Sequence, residues 1–151
     1  MKGLQWTLSV ITYYLLSEPA ILARLTAELQ ATDPANLSSW STLEKLPYLY
    51  GVVMEGLRLS YGETARSPRV PRDENLTYRG EYGGRKYEYA IPKGTAIGAS
   101  AVLMHHNKDI FPASESFIPE RWVDENGQRR RELERGMMSF SRGSRQCLGM
   151  K

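Results

Sequence analysis

Phe140-Ser141-Arg142-Gly143-Ser144-Arg145-Gln146-Cys147-Leu148-Gly149 decides how this chain is read, and it contains the only cysteine of the sequence. A thiol that binds a metal does so as the thiolate. One cysteine cannot build a zinc site, which takes about four ligands. It can be the single protein ligand of a metal whose other positions are already filled. Haem iron is such a metal: the porphyrin supplies the equatorial nitrogens and the protein one axial thiolate. The neighbours of Cys147 suit that role. Gly143 permits a tight turn with positive φ, and Gly149 lets the backbone come close to the sulfur or to a ring. Arg145 offers a cation to a haem carboxylate, and Phe140 a ring to shield the sulfur. The same stretch also reads as a buried structural cysteine beside a glycine turn.

Two further motifs bear on the choice. A helix is predicted from Pro47 to about Leu59, with Leu49, Val52, Val53, Gly56 and Leu57 as its apolar stripe. Glu55 and Arg58 lie three apart on it and so share a face. Alone they are an ordinary surface pair, worth about a few tenths of a kcal/mol. Downstream stands Phe117-Ile118-Pro119-Glu120-Arg121-Trp122. Taken together, Phe-x-x-Gly-x-Arg-x-Cys-x-Gly, Glu-x-x-Arg and Pro-Glu-Arg, in this order, resemble the haem-thiolate, helix and downstream motifs of the cytochrome P-450 monooxygenases, in a fungal-type form.

The resemblance implies a mainly α fold with a small β-sheet (α+β), the C-terminal part of the cytochrome P-450 fold, incomplete at both ends. One partial domain over 1–151 would hold helices at 4–59, a small sheet and loops at 60–122, and a charged loop with the cysteine loop at 123–151. Cys147 would be the axial ligand of haem b (iron protoporphyrin IX) and the only residue here bearing directly on catalysis. Arg145 and Arg69 would reach the propionates. Glu55, Arg58 and Arg121 would form a structural network that locks the cysteine loop. Such enzymes draw electrons from NADPH through a reductase and hydroxylate small, lipophilic organic molecules. The missing N-terminal part would carry the membrane anchor, which places full-length relatives at the endoplasmic reticulum, and the acid–alcohol pair that delivers protons. Trp6-Thr7-Leu8-Ser9 resembles the helix just beyond that pair. This chain alone would then not be competent. Two other readings stay open: a non-catalytic truncated or pseudogene product, and a small α+β domain whose thiol, activated by Gly143 and Arg145, works without haem.

Composition narrows the field. At 151 residues the chain is long enough to bury a core. Its net charge of +3 comes from basic residues interleaved with acids, which does not imply nucleic acid binding. No apolar run approaches the ~20 residues of a membrane span, and the first residues do not read as a signal peptide. Leu4, Leu8, Ile11 and Leu15 predict a helix over 4–16, and Leu22, Leu25 and Leu29 a second one ending near Gln30, with Ser17 as cap and Pro19 in its first turn. Ala31 to Ser41 reads as a polar loop. Strands are expected at Leu76–Tyr78, Lys86–Ala90 and Thr95–Ser100. Gly83-Gly84 would turn the first pair, and Ile91-Pro92-Lys93-Gly94 would make a type I turn. Residues 62–66 would pass over the haem edge toward substrate. His105 and His106 are adjacent and converge on no ion, so neither is assigned a metal; His105 matches a structural histidine of the family. Arg129-Arg130-Arg131 reads as a solvated face, with docking of an acidic electron donor as a second use.

Overall fold

The computed structural model describes residues 2–62, 64–66 and 68–150. Glu63, which falls in the stretch expected near substrate, lies outside the described residues, as does Ser67. The chain forms two compact units, one of residues 1–64 and 101–151, the other of residues 65–100.

The first unit is helical. It contains α1 (Lys2–Ser17), α2 (Pro19–Gln30), α3 (Trp40–Leu43), α4 (Pro47–Leu59), α5 (Ala101–His105) and α6 (Arg131–Glu134), with a 3-10 turn at Pro119–Trp122. Its core gathers Leu25, Tyr48, Val52, Leu59 and Phe117, with Val10, Ile11, Tyr14, Leu15 and Leu49 against them. The packed face of α1 keeps Ile11 and Leu15 of the expected stripe but not Leu4 and Leu8. Leu4 is 70% exposed and Leu8 54%. Thr7, Val10, Ile11 and Tyr14 turn inward instead, a run at i, i+3, i+4 and i+7. Thr7 can afford this because its hydroxyl meets Ser60 Oγ at 2.9 Å. Tyr14 stacks on Phe117 with ring centroids 4.6 Å apart. A Cβ on Gly56 would overlap the Ile11 side chain, so α1 and α4 approach this closely only because residue 56 has none.

Boundaries and caps differ in small ways from the sequence expectation. Pro19 opens α2 at its first turn, but Ser17 does not cap it: its hydroxyl donates back to Tyr13 O within α1 at 2.8 Å. Glu28 does the capping work for a different helix, accepting the Tyr48 and Leu49 amides of α4 at 2.7 and 2.8 Å. These are among the orphan donors of that helix's first turn. The loop expected at Ala31–Ser41 holds a 3-10 turn, Pro34–Asn36, with Asp33 accepting from the Ala35 amide, and the start of α3.

The second unit is a two-stranded antiparallel hairpin, β1 (Leu76–Tyr82) and β2 (Arg85–Ile91). Gly83 and Gly84 close it with φ of 57° and 74°. Two consecutive positive φ values define the type I′ turn, whose twist matches the strands. The strand expected at Thr95–Ser100 does not form. Ile97 makes a single antiparallel bridge to Arg69, and among the described residues no ladder extends it. The turn before it sits one residue later than expected. Thr95 N donates to Pro92 O at 3.1 Å and Gly94 has φ of 84°, so the glycine takes the third position, as a type II turn requires.

Candidate functional site: a cysteine loop braced by a buried ion network

The network is built on α4. A three-residue spacing puts Glu55 and Arg58 on one face, and both are fully buried. Burying an ion pair is costly unless geometry is good and every remaining donor and lone pair is used. Here they are. Arg58 Nε and Nη2 grip the two Glu55 carboxylate oxygens at 2.8 Å each. Its Nη1 donates to His105 O at 2.9 Å and Ser114 O at 2.6 Å, and Nη2 also donates to Ser116 O at 3.0 Å. All five guanidinium N–H groups are thereby placed. Glu55 accepts further bonds from Arg121 Nε at 3.0 Å, Ile118 N at 2.9 Å and Trp122 Nε1 at 2.9 Å. Arg121 then reaches Pro112 O at 2.7 Å and Ala113 O at 3.3 Å. Glu55, Arg58 and Arg121 therefore lie together.

Two further residues complete the network. Trp122 is fully buried and spends its only polar atom on Glu55. Its position directly after Arg121, in a proline-started 3-10 turn, was the available signal. His105 is the other. Its ring is fully buried. Nδ1 donates to Arg58 O at 2.7 Å, and Nε2 accepts from Met138 N at 2.9 Å. That pair of bonds fixes the neutral Nδ1–H tautomer. Burial, opposed by the bond to the Arg58 carbonyl, holds the imidazole down at about 4 from an ordinary 6.5. His105 thus ties the end of α4 to the residues that lead into the cysteine loop.

The loop itself is held by main chain. Ser139 Oγ donates to Leu57 O at 2.9 Å. Ser141 and Gly143 take positive φ, 59° and 74°, and bend the chain twice within three residues. A 3-10 turn follows at Gly143–Arg145. Cys147 N donates to Phe140 O at 2.9 Å, which closes the loop on itself. Phe140 is half-buried, while Arg145, Cys147 and Gly149 are exposed. A short 3-10 turn, Leu148–Met150, comes next.

These features fit a haem. The thiol is exposed, so a flat macrocycle can reach it. A Cβ on Gly149 would sit 3.8 Å from Cys147 Sγ, so a bare backbone borders the sulfur. Arg145 is exposed two residues before it. Arg69 belongs to the other unit, where its main chain forms the bridge to Ile97 with N–O distances of 2.7 and 2.8 Å. The arginine run is not merely solvated. The Arg129 guanidinium lies 4.2 Å over the Tyr50 ring and donates to Glu44 O, while Arg130 pairs with Glu132 at 3.4 Å. No helix among the described residues is long and apolar enough to cross a membrane.

The family model for cytochrome P-450 matches residues 3–151. Cytochrome P-450 monooxygenase MO6277 of Ascocoryne sarcoides is 46% identical over 147 residues, covering 95% of this chain and 26% of that protein. Cytochrome P-450 monooxygenase ppzE of Metarhizium majus is 45% identical over 95% of this chain and 33% of its own length. Cytochrome P-450 monooxygenase tndB of Aspergillus flavipes is 41% identical over 96% of this chain and 28% of its own length. The chain thus spans about a quarter to a third of these curated relatives. With the family model matched along nearly its whole length, and fungal relatives alike over 95% of it, this chain belongs to the cytochrome P-450 family.

Proposed function

We propose that this chain supplies the axial thiolate of a haem-dependent monooxygenase that oxidises a small, lipophilic organic substrate, with electrons from NADPH through a reductase. The observation that carries the reading is Cys147: a lone, exposed thiol on a loop bent at Ser141 and Gly143 and closed by its own amide onto Phe140. Several similar proteins carry the name monooxygenase. Bound haem supplies the redox chemistry of dioxygen activation. The chain's own residues hold that group. Cys147 is the ligand, and Gly143 and Gly149 keep side chains away from the ring. Arg145 is a cation for a propionate. Glu55, Arg58 and Arg121 touch no reacting atom; they fix the frame on which the loop rests.

Titration of the protein with haemin tests this. The wild type should give the red-shifted Soret band of a thiolate-ligated ferrous carbon monoxide complex, and Cys147→Ala should lose it. A wild type without that band, or a Cys147→Ala variant that keeps it, would overturn the assignment.

A further inference from the structure

We infer that Tyr50, Glu134 and Arg142 form a second brace on the cysteine loop, independent of the buried network, and that they are positioning residues for Cys147; the inference rests on reading Cys147 as the haem ligand. Both braces start on α4. The first leaves it at Leu57 and Arg58 and ends on Ser139 Oγ and, through His105, on the Met138 amide. The second leaves it at Tyr50, two turns earlier, or about 11 Å along the helix axis. Tyr50 donates its hydroxyl to Glu134 Oε1 at 2.5 Å. Burial and then the adjoining Glu134 carboxylate push the Tyr50 hydroxyl well above its ordinary range, so it remains a donor. Arg129 covers the ring, which keeps the tyrosine from swinging out. The main chain of Glu134 continues the path: its carbonyl accepts from Arg142 Nη2 at 2.5 Å, and Arg142 Nε reaches Met137 O at 3.3 Å.

The two grips therefore fall at residues 138–139 and at residue 142. Phe140 lies between them, and its carbonyl is what the Cys147 amide holds. With either grip released, the segment could rotate about the positive-φ residues 141 and 143, and the sulfur would move with it. A cleft of about 710 Å³, lined among others by Tyr50, Met54, Leu57, Phe140 and Arg142, runs beside this path.

Amide hydrogen exchange of residues 138–147 measures the brace without haem, in Tyr50→Phe, Glu134→Ala, Glu134→Gln and, as a control, Arg79→Ala. Loss of one hydrogen bond to a charged group should speed exchange there by about tenfold to a hundredfold in Tyr50→Phe and Glu134→Ala. Glu134→Gln retains a neutral acceptor oxygen and should fall between those variants and wild type, while the control should stay within about twofold of wild type. Exchange in α1 should not change. A uniform increase that includes α1, or no change at residues 138–147, would overturn the brace. Haemin titration of the same variants separates the two claims. If the wild type shows the thiolate band, Tyr50→Phe and Glu134→Ala should weaken it and Glu134→Gln should restore it in part; equal bands in all four would refute a positioning role. If the wild type takes no haemin while the exchange pattern holds, the brace stands as a property of the loop and the ligand reading fails.

Discussion

Two Arg–Glu forks in this protein use the same chemistry and carry opposite weight. In the hairpin, Arg79 Nε and Nη2 grip Glu88 at 3.1 and 3.2 Å, with side chains 75% and 61% exposed. In the helical unit, Arg58 grips Glu55 by the same two atoms at 2.8 Å, with both side chains at 0%. Water already solvates the first pair, so joining it changes little. The second pair has no water to fall back on. Each atom it does not satisfy internally is left bare, and that is why main-chain carbonyls, an amide and an indole crowd around it. The lesson is that an ion pair's importance is set by what surrounds it rather than by its own geometry.

The comparison can be broken at its strong end first. Glu55→Ala should destabilise the helical unit by about 3–5 kcal/mol, because the buried Arg58 charge loses its partner. A loss below about 1 kcal/mol on denaturant titration would mean water reaches the site and the contrast fails. Next in size is acid. The His105 proton affinity is lowered in the fold to about 4. The unfolded chain, titrating near 6.5, therefore takes up the proton first. Stability from this residue is complete above about pH 6.5 and drains away as pH falls to about 4, on the order of 3 kcal/mol in all. Melting curves between pH 7 and pH 4 should show that slope, and His105→Gln should flatten it. Trp122→Phe keeps the ring in the core but removes one of the five bonds to Glu55. It should cost about 2 kcal/mol, the range for a bond to a charged acceptor. Smallest is Arg79→Ala, expected to change stability by less than about 1 kcal/mol and less still in high salt. A larger effect there would sink the contrast from its weak end.

Much of this was legible in residue order. The Glu55, Arg58 and Arg121 cluster follows from spacing and from the family resemblance, and the hairpin from paired glycines between tyrosine-rich strands. What was not legible has physical reasons. The inward face of α1 was misread because Leu4 and Leu8 are more apolar than Thr7, while hydrophobicity says nothing of the Ser60 hydroxyl that lets Thr7 be buried. Thr95–Ser100 holds just two good strand formers, Thr95 and Ile97, and a strand needs a partner ladder; among the described residues its bridge is the single one to Arg69. The indole of Trp122 was hidden because its role depends on a contact 67 residues away, and the structural role expected for His105 did not name its partner, the Arg58 carbonyl 47 residues away.

Arg58 and Arg121 together bind the carbonyls of His105, Pro112, Ala113, Ser114 and Ser116. Every amino acid presents that same oxygen. The two guanidiniums therefore recognise the path of residues 112–116 and not their side chains. A library that rewrites 112 and 116 should be widely tolerated wherever the backbone trace survives, while 113, with φ of 50°, should favour Gly and Asn; the two arginines admit no replacement. Freedom to vary is thus lodged on one side of the contact and constraint on the other.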